Sequence, residues 1–373
     1  MKFALFYEIP VAKPWTKTSE LEAYRNTIEQ VKLGDQLGFH SFWTVEHHFL
    51  EEYSHCSNPE VLYGHLSAVT KNIKLGYGVR LLPKPYNHPV RSAESAAVLD
   101  LISNGRVLFG TGRSSTRAEL EGFGVDPGET REMWDEALRH IVACWTEDEV
   151  SFEGKHWRLP KRRVLPKPLQ DPHPPIFGAT SSVPGHYEIG SRGIGLCSFT
   201  VGQPPEQLEE RLQMYRKGQA DCAKPVGLFR NETAATFTMV HCAESNARAR
   251  AEAEESFVWY PKTAGWHIAS LAEWMEERKQ DLGNYQYAGD ALKGRREGLM
   301  DHLTMDYLWE SGAAVVGDPE RCIEIAKRYQ AVGCDLLMCL FNPYKIPHEA
   351  VMKSIELIGK HVIPELDGDG DVH

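Results

Sequence analysis

The chain has 373 residues, of which 42% are hydrophobic, so it is long enough and apolar enough to bury a large core. Its 52 acidic residues outnumber its 41 basic ones and give a net charge of -11, which excludes a general basic surface for nucleic acid. The apolar run at the N-terminus is too short for a signal peptide, and no stretch approaches the ~20 apolar residues of a transmembrane helix.

Short apolar runs alternate with longer amphipathic stretches along the chain, which is the pattern of repeated βα units. The apolar runs predict eight strands, at residues 2–7, 41–45, 73–77, 107–111, 175–178, 195–199, 235–241 and 335–340. The amphipathic stretches predict helices at residues 20–37, 59–70, 89–102, 129–145, 184–191, 205–220, 244–257, 319–331 and 348–361. Proline begins several of these helices. It is tolerated there because the N–H group of the first helical residue has no hydrogen-bond partner within the helix. The pattern predicts one (β/α)8 barrel over residues 1–366.

Three segments depart from this repeat. Residues 149–159, after the fourth helix, predict a β-hairpin that turns at Glu153-Gly154. Residues 258–312, after the seventh strand, are rich in tryptophan and tyrosine, which argues against disorder and predicts an active-site lid. Residues 367–373 predict a flexible acidic tail. Eight cysteines are scattered without a C-x-x-C pair, so we expect reduced thiols in the cytoplasm.

Unusual residues follow several of the predicted strands. Active sites of (β/α)8 barrels lie where the strands end, so these residues are the candidates for chemistry. They are His47 and His48 after the second strand, Gly78 and Val79 after the third, Gly112 and Arg113 after the fourth, and Thr180, Ser181 and Ser182 after the fifth. The sequence therefore predicts one polar, cationic rim.

The His47-His48 pair admits three interpretations: metal ligands, acid/base catalysts or structural histidines. Adjacent residues at a strand end point to opposite sides, so the two would not easily share one metal ion. The helical H-E-x-x-H spacing is also absent, so we expect no metal. A histidine on the catalytic rim is suited to proton transfer near neutral pH. We take His47 as the catalytic candidate, and His48 as either a secondary catalytic residue or a structural one.

The segment 110–115 contains two glycines, Arg113 and two serines. It lacks the third glycine of the G-x-G-x-x-G fingerprint, so it does not predict a dinucleotide site. A fixed cation beside hydroxyl donors suits a single phosphate group instead. Residues 180–182 begin the next helix, whose amides also favour an anion. The alternative is structural, with the glycines turning the chain and the serines capping helices.

Several motifs together resemble those of a known family, the bacterial-luciferase-like flavin-dependent monooxygenases. The matching segments are distributed over nearly the whole chain and are residues 38–49, which end in Glu-His-His-Phe, then Asn58-Pro59, 88–91, 99–106, 109–113 and 316–319. The resemblance implies a barrel that binds reduced FMN, reacts it with dioxygen and oxygenates an organic substrate through a C4a-peroxyflavin. It is weakest in the hairpin and in the aromatic insertion.

The resemblance also implies roles for individual residues. His47 matches the catalytic acid/base of the family, and Arg113 matches its phosphate-binding arginine. The Gly78-Val79 bond matches a non-proline cis peptide that packs on the flavin ring. Residues 180–182 fall in a second phosphate loop.

Two residues depart from bacterial luciferase itself. Gly112 stands where luciferase carries a reactive cysteine, and Phe199 stands where it carries a tryptophan. Light emission from a long aldehyde is therefore not implied. Aromatic residues near the rim suggest a small apolar substrate, with Phe49, Phe199, Trp259 and Trp266 as the candidate contacts.

Other functions stay open on the same motifs. The alternative cofactor is the deazaflavin F420, which would make the protein a hydride-transfer oxidoreductase, and a flavin-binding protein without turnover is a further possibility. A metal-dependent hydrolase is the third alternative function. The missing dinucleotide fingerprint implies that a separate NAD(P)H:flavin reductase supplies FMNH2. Family resemblance suggests a homodimer through the second and third helices, where Ala93, Ala96 and Ala97 would allow close approach. The alternative is that these alanines pack against the barrel.

Overall fold

Eight parallel strands close into a barrel in the computed structural model, which describes residues 1–366. The strands are β1 (Lys2–Tyr7), β2 (Ser41–Thr44), β3 (Lys74–Tyr77), β4 (Arg80–Leu81), β5 (Val107–Gly112), β6 (Val150–Glu153), β7 (Arg158–Arg162), β8 (Ile176–Thr180), β9 (Gly195–Ser198), β10 (Ala234–Cys242), β11 (Val315–Gly317) and β12 (Leu336–Leu340). The closed order is β1, β2, β3, β5, β8, β9, β10, β12 and back to β1. The predicted (β/α)8 barrel is confirmed.

The barrel strands are continuous apolar runs because both faces of a parallel sheet are covered. All five residues of β12 and all nine of β10 are buried. Aromatic rings fill the interior, with the ring of Phe6 4.7 Å from that of Phe237 and Trp43 5.1 Å from Phe177. A Cβ atom on Gly76 would lie 2.3 Å from the Trp43 indole, so only glycine there accommodates this ring.

Helices surround the barrel and follow its strands. They are α1 (Ser19–Gln36), α2 (Pro59–Val69), α3 (Pro89–Ile102), α4 (Arg117–Gly122), α5 (Thr130–Thr146), α6 (Val183–Ser191), α7 (Glu209–Asp221), α8 (Asn246–Glu277), α9 (Gln286–Arg296), α10 (Met305–Ser311), α11 (Pro319–Ala331), α12 (His348–Leu357) and α13 (Ile363–Leu366). Proline begins α2, α3 and α11, as predicted. Asp318 also caps α11 by accepting a hydrogen bond from the Arg321 amide at 3.0 Å.

The predicted hairpin forms from β6 and β7, which pair antiparallel. Its turn is wider than the sequence predicts, because the Gly154 amide donates to the Trp157 carbonyl at 2.9 Å. The short elements β4, β11 and α4 were not predicted. Each has six residues or fewer, too short to carry a periodic hydrophobic signal.

The insertion at residues 258–312 is helical. The predicted end of the seventh helix at Phe257 is wrong, because α8 continues through Pro261 to Glu277. Beyond it, α9 and α10 complete the insertion. The second half of α8 and α9 share a small apolar core with residues of α4 and of the segment after it. This core is formed by Leu120, Val125, Ala269, Leu271, Ala272, Trp274, Met275, Tyr285, Ala288 and Leu292.

The alanines predicted as a dimer contact lie inside the subunit. Ala93, Ala96 and Ala97 are at most 1% exposed, because this face of α3 packs on the body of the protein. The Ala93 carbonyl accepts a hydrogen bond from the Trp145 indole at 2.9 Å. These three side chains therefore do not form an intersubunit surface.

All eight cysteines are buried and free. Burial raises the pKa of the Cys144 thiol to about 11 and that of the Cys56 thiol to about 12. No helix within residues 1–366 is both long and apolar enough to cross a lipid bilayer. The predicted acidic tail, residues 367–373, lies outside the described residues.

Candidate active site

A cavity of about 630 Å³ opens where the barrel strands end. Its walls come from the residues after β1, β2, β3, β5 and β8, and from helices α8 and α9 of the insertion. Nine predicted site residues line it, namely His47, Gly78, Val79, Gly112, Arg113, Thr180, Ser181, Ser182 and Phe199. The strand-end rule thus gathers residues that are distant in sequence into one cavity.

The imidazole of His47 lies between two buried carboxylates. Its Nδ1 atom is 2.8 Å from Oε1 of Glu119, and its Nε2 atom is 3.5 Å from Oε2 of Glu8. Burial alone would lower the pKa of His47, but the charges of Glu119 and Glu8 outweigh it and raise the pKa to about 9. The imidazole is therefore protonated at neutral pH and holds a proton towards each carboxylate.

Glu119 is brought to His47 by the short helix α4. Its Oε2 atom accepts hydrogen bonds from the hydroxyls of Ser114 and Thr116, both at 2.7 Å, and Oε1 also accepts from the His48 amide at 3.1 Å. Burial raises the pKa of Glu119, but the His47 charge and these hydrogen bonds lower it overall. Glu119 is therefore the ionised partner that fixes the orientation of the imidazole.

Glu8 directly follows β1 and is 3% exposed. Its Oε1 atom accepts hydrogen bonds from the hydroxyls of Tyr260 at 2.8 Å and Tyr53 at 3.4 Å. Burial raises the pKa of Glu8 above its ordinary value, although the His47 charge opposes this effect. Sequence reasoning missed both carboxylates. Glu8 could have been recognised because it directly follows a predicted strand. Glu119 lies 72 residues from His47, so no local spacing in the sequence connects the two.

His48 points away from the cavity. Its Nε2 atom is 3.6 Å from Oε1 of Glu46, and its ring packs edge-on against Phe123 at 4.9 Å. Neighbouring residues in extended chain face opposite ways, which explains why only one histidine of the pair reaches the cavity. His48 is not among the residues that line the cavity, and its catalytic role stays a prediction.

Gly78, Val79 and Gly112 form a backbone wall of the cavity. The Gly78-Val79 peptide is cis, as the resemblance implied. A Cβ atom on Gly112 would lie 2.4 Å from Cγ2 of Val79, so glycine at this position leaves room for the valine. This wall is therefore mostly backbone and nearly free of polar side chains, which suits contact with a flat ring system.

One end of the cavity carries uncompensated positive charge. Arg113 donates to Oγ1 of Thr130 at 3.2 Å and lies 5.0 Å from the centre of the Tyr285 ring. Arg211 donates to the Ser181 carbonyl at 3.3 Å. Within residues 1–366 no carboxylate lies within 4 Å of either guanidinium, whereas the nearby Arg131 and Arg192 are paired with acidic side chains.

The hydroxyls at residues 180–182 lie at this same end. Ser182 caps α6 by accepting a hydrogen bond from the Gly185 amide at 3.2 Å, which is the structural role that the sequence left open for it. A Cβ atom on Gly185 would lie 2.0 Å from Oγ1 of Thr180, which leaves a cradle that only glycine permits. Guanidinium groups without acidic partners, hydroxyls and a helix N-terminus together fit a phosphate group.

Of the four predicted substrate contacts, one lines the cavity. Phe199 lines the cavity and packs against Phe6 with ring centres 5.6 Å apart. Phe49 and Trp266 are more than half exposed, and Trp259 stacks on Tyr344 at 3.9 Å, so these three do not line the cavity. In their place the structure brings Tyr53, Tyr260 and His267 into the wall.

Comparison with known proteins places the chain among similar enzymes. It is 26% identical to the oxygenase component of a flavin-dependent trigonelline monooxygenase from Acinetobacter baylyi, over 90% of this chain and 87% of that protein. Its fold is similar to that of the oxygenating constituent of 3,6-diketocamphane monooxygenase from Pseudomonas putida, a type II Baeyer-Villiger monooxygenase in complex with FMN, with a TM-score of 0.76, 21% identity and 98% of each chain covered.

An F420-dependent secondary alcohol dehydrogenase also shares the fold, with a TM-score of 0.71, 19% identity, and coverage of 98% of this chain and 99% of that one. At such identities the solved structures show the fold alone. The model of the luciferase-like monooxygenase family, by contrast, matches residues 1–336. The chain therefore belongs to the luciferase-like monooxygenase family.

Proposed function

We propose that this protein is an FMN-dependent monooxygenase that uses reduced FMN and dioxygen to oxygenate a small organic substrate. The observation that carries the proposal is one cavity lined by two different groups. One is a protonated imidazole between two carboxylates, and the other is the guanidinium of Arg113, which has no acidic partner among the described residues. Two similar proteins support the proposal of flavin-dependent oxygenation. One is named a flavin-dependent monooxygenase, and the other is a monooxygenase in complex with FMN.

The residues present fit FMN. Arg113 and Arg211, with the hydroxyls and amides at residues 180–185, would hold its phosphate, since they offer positive charge and donors that no acidic partner uses. The wall at Gly78, Val79 and Gly112 would face its ring system. When bound, reduced FMN supplies the electrons that activate dioxygen.

His47 is proposed to move the proton that oxygenation requires. Its Nδ1 proton is held by Glu119, so exchange takes place at Nε2, which faces Glu8 and the cavity. A group that holds a proton at neutral pH can give it to a developing oxyanion and recover it later. Glu119 keeps the ring oriented while this happens.

The insertion at residues 258–312 is proposed to act as the lid. Tyr260 and His267 from α8 and Tyr287 from α9 line the cavity, so the insertion covers it. A cover of this kind keeps water from reactive groups and strengthens the charge interactions beneath it.

A separate reductase is proposed to supply the reduced flavin, and we expect the two proteins to meet in the cytoplasm. The chain carries no dinucleotide fingerprint of its own. The trigonelline relative is named as an oxygenase component, which supports a system of two proteins.

F420-dependent hydride transfer is the second candidate, supported by the fold that the chain shares with an F420-dependent dehydrogenase. The two are separated by oxygen uptake with added FMNH2, compared with reduction of F420 by an alcohol. Consumption of dioxygen only when FMNH2 is present supports the monooxygenase. Turnover with F420 and none with FMNH2 would replace it with hydride transfer.

Arg113→Ala tests the cofactor site directly. We expect the free energy of FMN binding to weaken by about 1.5 to 3 kcal/mol, the scale of a hydrogen bond to a charged group. The measurement is quenching of flavin fluorescence on titration with protein. Arg158→Ala, on the exposed hairpin, removes the same charge and should leave affinity unchanged. Equal affinity in both variants would mean that the phosphate binds elsewhere.

A further inference from the structure

Tyr260, a residue of the insertion, holds the second carboxyl group of the His47 cluster. It lies on α8 and is 2% exposed, and its hydroxyl donates a hydrogen bond to Oε1 of Glu8 at 2.8 Å. The other oxygen of that carboxyl group, Oε2, lies 3.5 Å from Nε2 of His47. One chain of contacts therefore runs from the insertion through Glu8 to the histidine that is proposed to move the proton.

Aromatic contacts fix the position of the Tyr260 ring. It stacks on the ring of Tyr53 with ring centres 5.1 Å apart and an angle of 14° between the planes, and the Phe237 ring lies 6.0 Å away. Tyr53 also donates to Oε1 of Glu8, but at 3.4 Å. For an O–H donor, 2.8 Å is close to the optimal length and 3.4 Å is long. Tyr260 is thus the main hydrogen-bond donor to this carboxyl group.

The hydroxyl of Tyr260 acts on the charge of Glu8 as well as on its position. Burial raises the pKa of Glu8, and the charge of Glu119 adds to this effect. The charge of His47 and the hydrogen bonds from Tyr260 and Tyr53 lower the pKa of the same group. A hydrogen bond donated to the charged form of an acid stabilises that form. Loss of the Tyr260 hydroxyl would therefore raise the pKa of Glu8 further and weaken its negative charge.

The charge of Glu8 in turn acts on His47. Burial lowers the pKa of the imidazole, and the carboxylate charges that outweigh burial come from Glu119, Glu8 and Glu46. His267, which also faces His47, has a pKa lowered to about 4 by its burial and by the His47 charge, so it is uncharged at neutral pH. A weaker charge on Glu8 would therefore leave the proton of His47 less firmly bound.

We propose that Tyr260 is a positioning residue, which keeps the carboxyl group of Glu8 directed at Nε2 of His47 and so keeps a proton on that nitrogen. This inference rests on the proposed function, because it takes His47 as the group that moves the proton. It gives the insertion a second task besides covering the cavity. The insertion completes the surroundings in which His47 holds its proton.

Tyr260→Phe tests the proposal, because it removes the hydroxyl and keeps the ring that stacks on Tyr53. NMR titration of the His47 ring protons should give a pKa below the value of about 9 in the unaltered protein. The titration uses the full chain without added flavin, so its result does not depend on FMN binding. Tyr307→Phe is the matched control and should leave the titration unchanged, because this hydroxyl of the insertion donates to the Gly202 carbonyl.

Two further proteins separate the route through Glu8 from other effects. Glu8→Gln removes the carboxylate charge, so adding Tyr260→Phe to it should cause no further fall in the pKa of His47. Incorporation of 3-fluorotyrosine at position 260 keeps the ring and makes the hydroxyl a stronger donor, so it should raise the pKa of His47. This opposite shift does not depend on whether Tyr260→Phe folds.

An unchanged His47 pKa in folded Tyr260→Phe would overturn the proposal. An equal fall in the Glu8→Gln background, or no rise with 3-fluorotyrosine, would overturn it as well. The proposed function is judged separately, by FMN affinity and oxygen uptake. A protein whose His47 responds to the Tyr260 hydroxyl but which fails those measurements would keep this positioning contact and lose the monooxygenase assignment.

Discussion

Two adjacent histidines have opposite surroundings in this protein. His47 enters the cavity between Glu8 and Glu119, whereas His48 turns back against Phe123. A positioned acid or base contributes about 10² to 10⁴ in rate. His47→Gln should therefore lower substrate-dependent oxygen consumption by that factor while FMN affinity stays within about threefold. His48→Gln is the matched control and should cost less than about tenfold in rate. Equal losses in both variants would contradict the assignment of His47.

The ion pair between His47 and Glu119 makes stability depend on pH in a defined window. The pKa of His47 is raised from 6.5 to about 9, so its share of the stabilisation is complete below pH 6.5 and is lost as pH rises through about 9. The pKa of Glu119 is lowered from 4.5, so its share is present above pH 4.5 and is lost at more acid pH.

Glu119→Gln tests this window. The pKa of His47 should fall from about 9, because the lowering effect of burial is then opposed by fewer negative charges. NMR titration of the His47 ring protons measures it. The difference in unfolding free energy between the two proteins should be largest between pH 4.5 and 6.5 and should fade as pH passes 9. An unchanged His47 pKa would show that Glu119 does not set the charge of the ring.

At the scale of elements, the insertion proposed as the lid contacts the proposed phosphate site. The Tyr285 hydroxyl lies 2.8 Å from Oγ1 of Thr130, donates to the Ser114 carbonyl at 3.2 Å, and its ring lies beside Arg113. Tyr285→Phe should weaken FMN binding by about 1 kcal/mol, because Arg113 loses part of its support. Tyr307→Phe, which removes another hydroxyl of the insertion, is the control for flavin titrations. Identical affinities would separate the lid from phosphate binding.

The strands were predictable because a parallel barrel buries both faces and so leaves uninterrupted apolar runs. The length of α8 was not predictable in the same way, since Pro261 normally ends a helix. Here burial of Tyr260, Ala264 and neighbouring residues stabilises the helix on both sides of the proline. Tertiary packing of this kind leaves no local mark in the sequence.

The same limit applies to the site. His47, Arg113, Gly78 and Val79 were predictable as cavity residues from their positions after strands, and the cis Gly78-Val79 bond was implied by the family resemblance. Trp266 and Phe49 lie on the surface, because the sequence does not show whether an aromatic residue faces the cavity or the solvent. The orientation of a side chain depends on the helix phase and on long-range contacts, which composition does not encode.

At the scale of the whole molecule, a homodimer remains a proposal, now on a different face. Val61 on α2 and Val98, Leu101 and Ile102 on α3 are between 43% and 71% exposed, so the outer surface of these helices is apolar. Replacing Val98 and Ile102 together by glutamate should give monomers in sedimentation velocity, where the unaltered chain sediments as a dimer. Leu228→Glu, an exposed apolar residue elsewhere, should not change the sedimentation. A monomeric unaltered chain would refute the dimer.

The burial of all eight cysteines has a consequence for an enzyme that handles oxygen. Where reduced flavin and dioxygen meet, some hydrogen peroxide escapes, and peroxide attacks the thiolate form of cysteine. Burial raises the pKa of thiols such as Cys56 and Cys144, so they stay protonated and packed away from solvent. We therefore expect these thiols to resist oxidation by peroxide formed at the proposed flavin site.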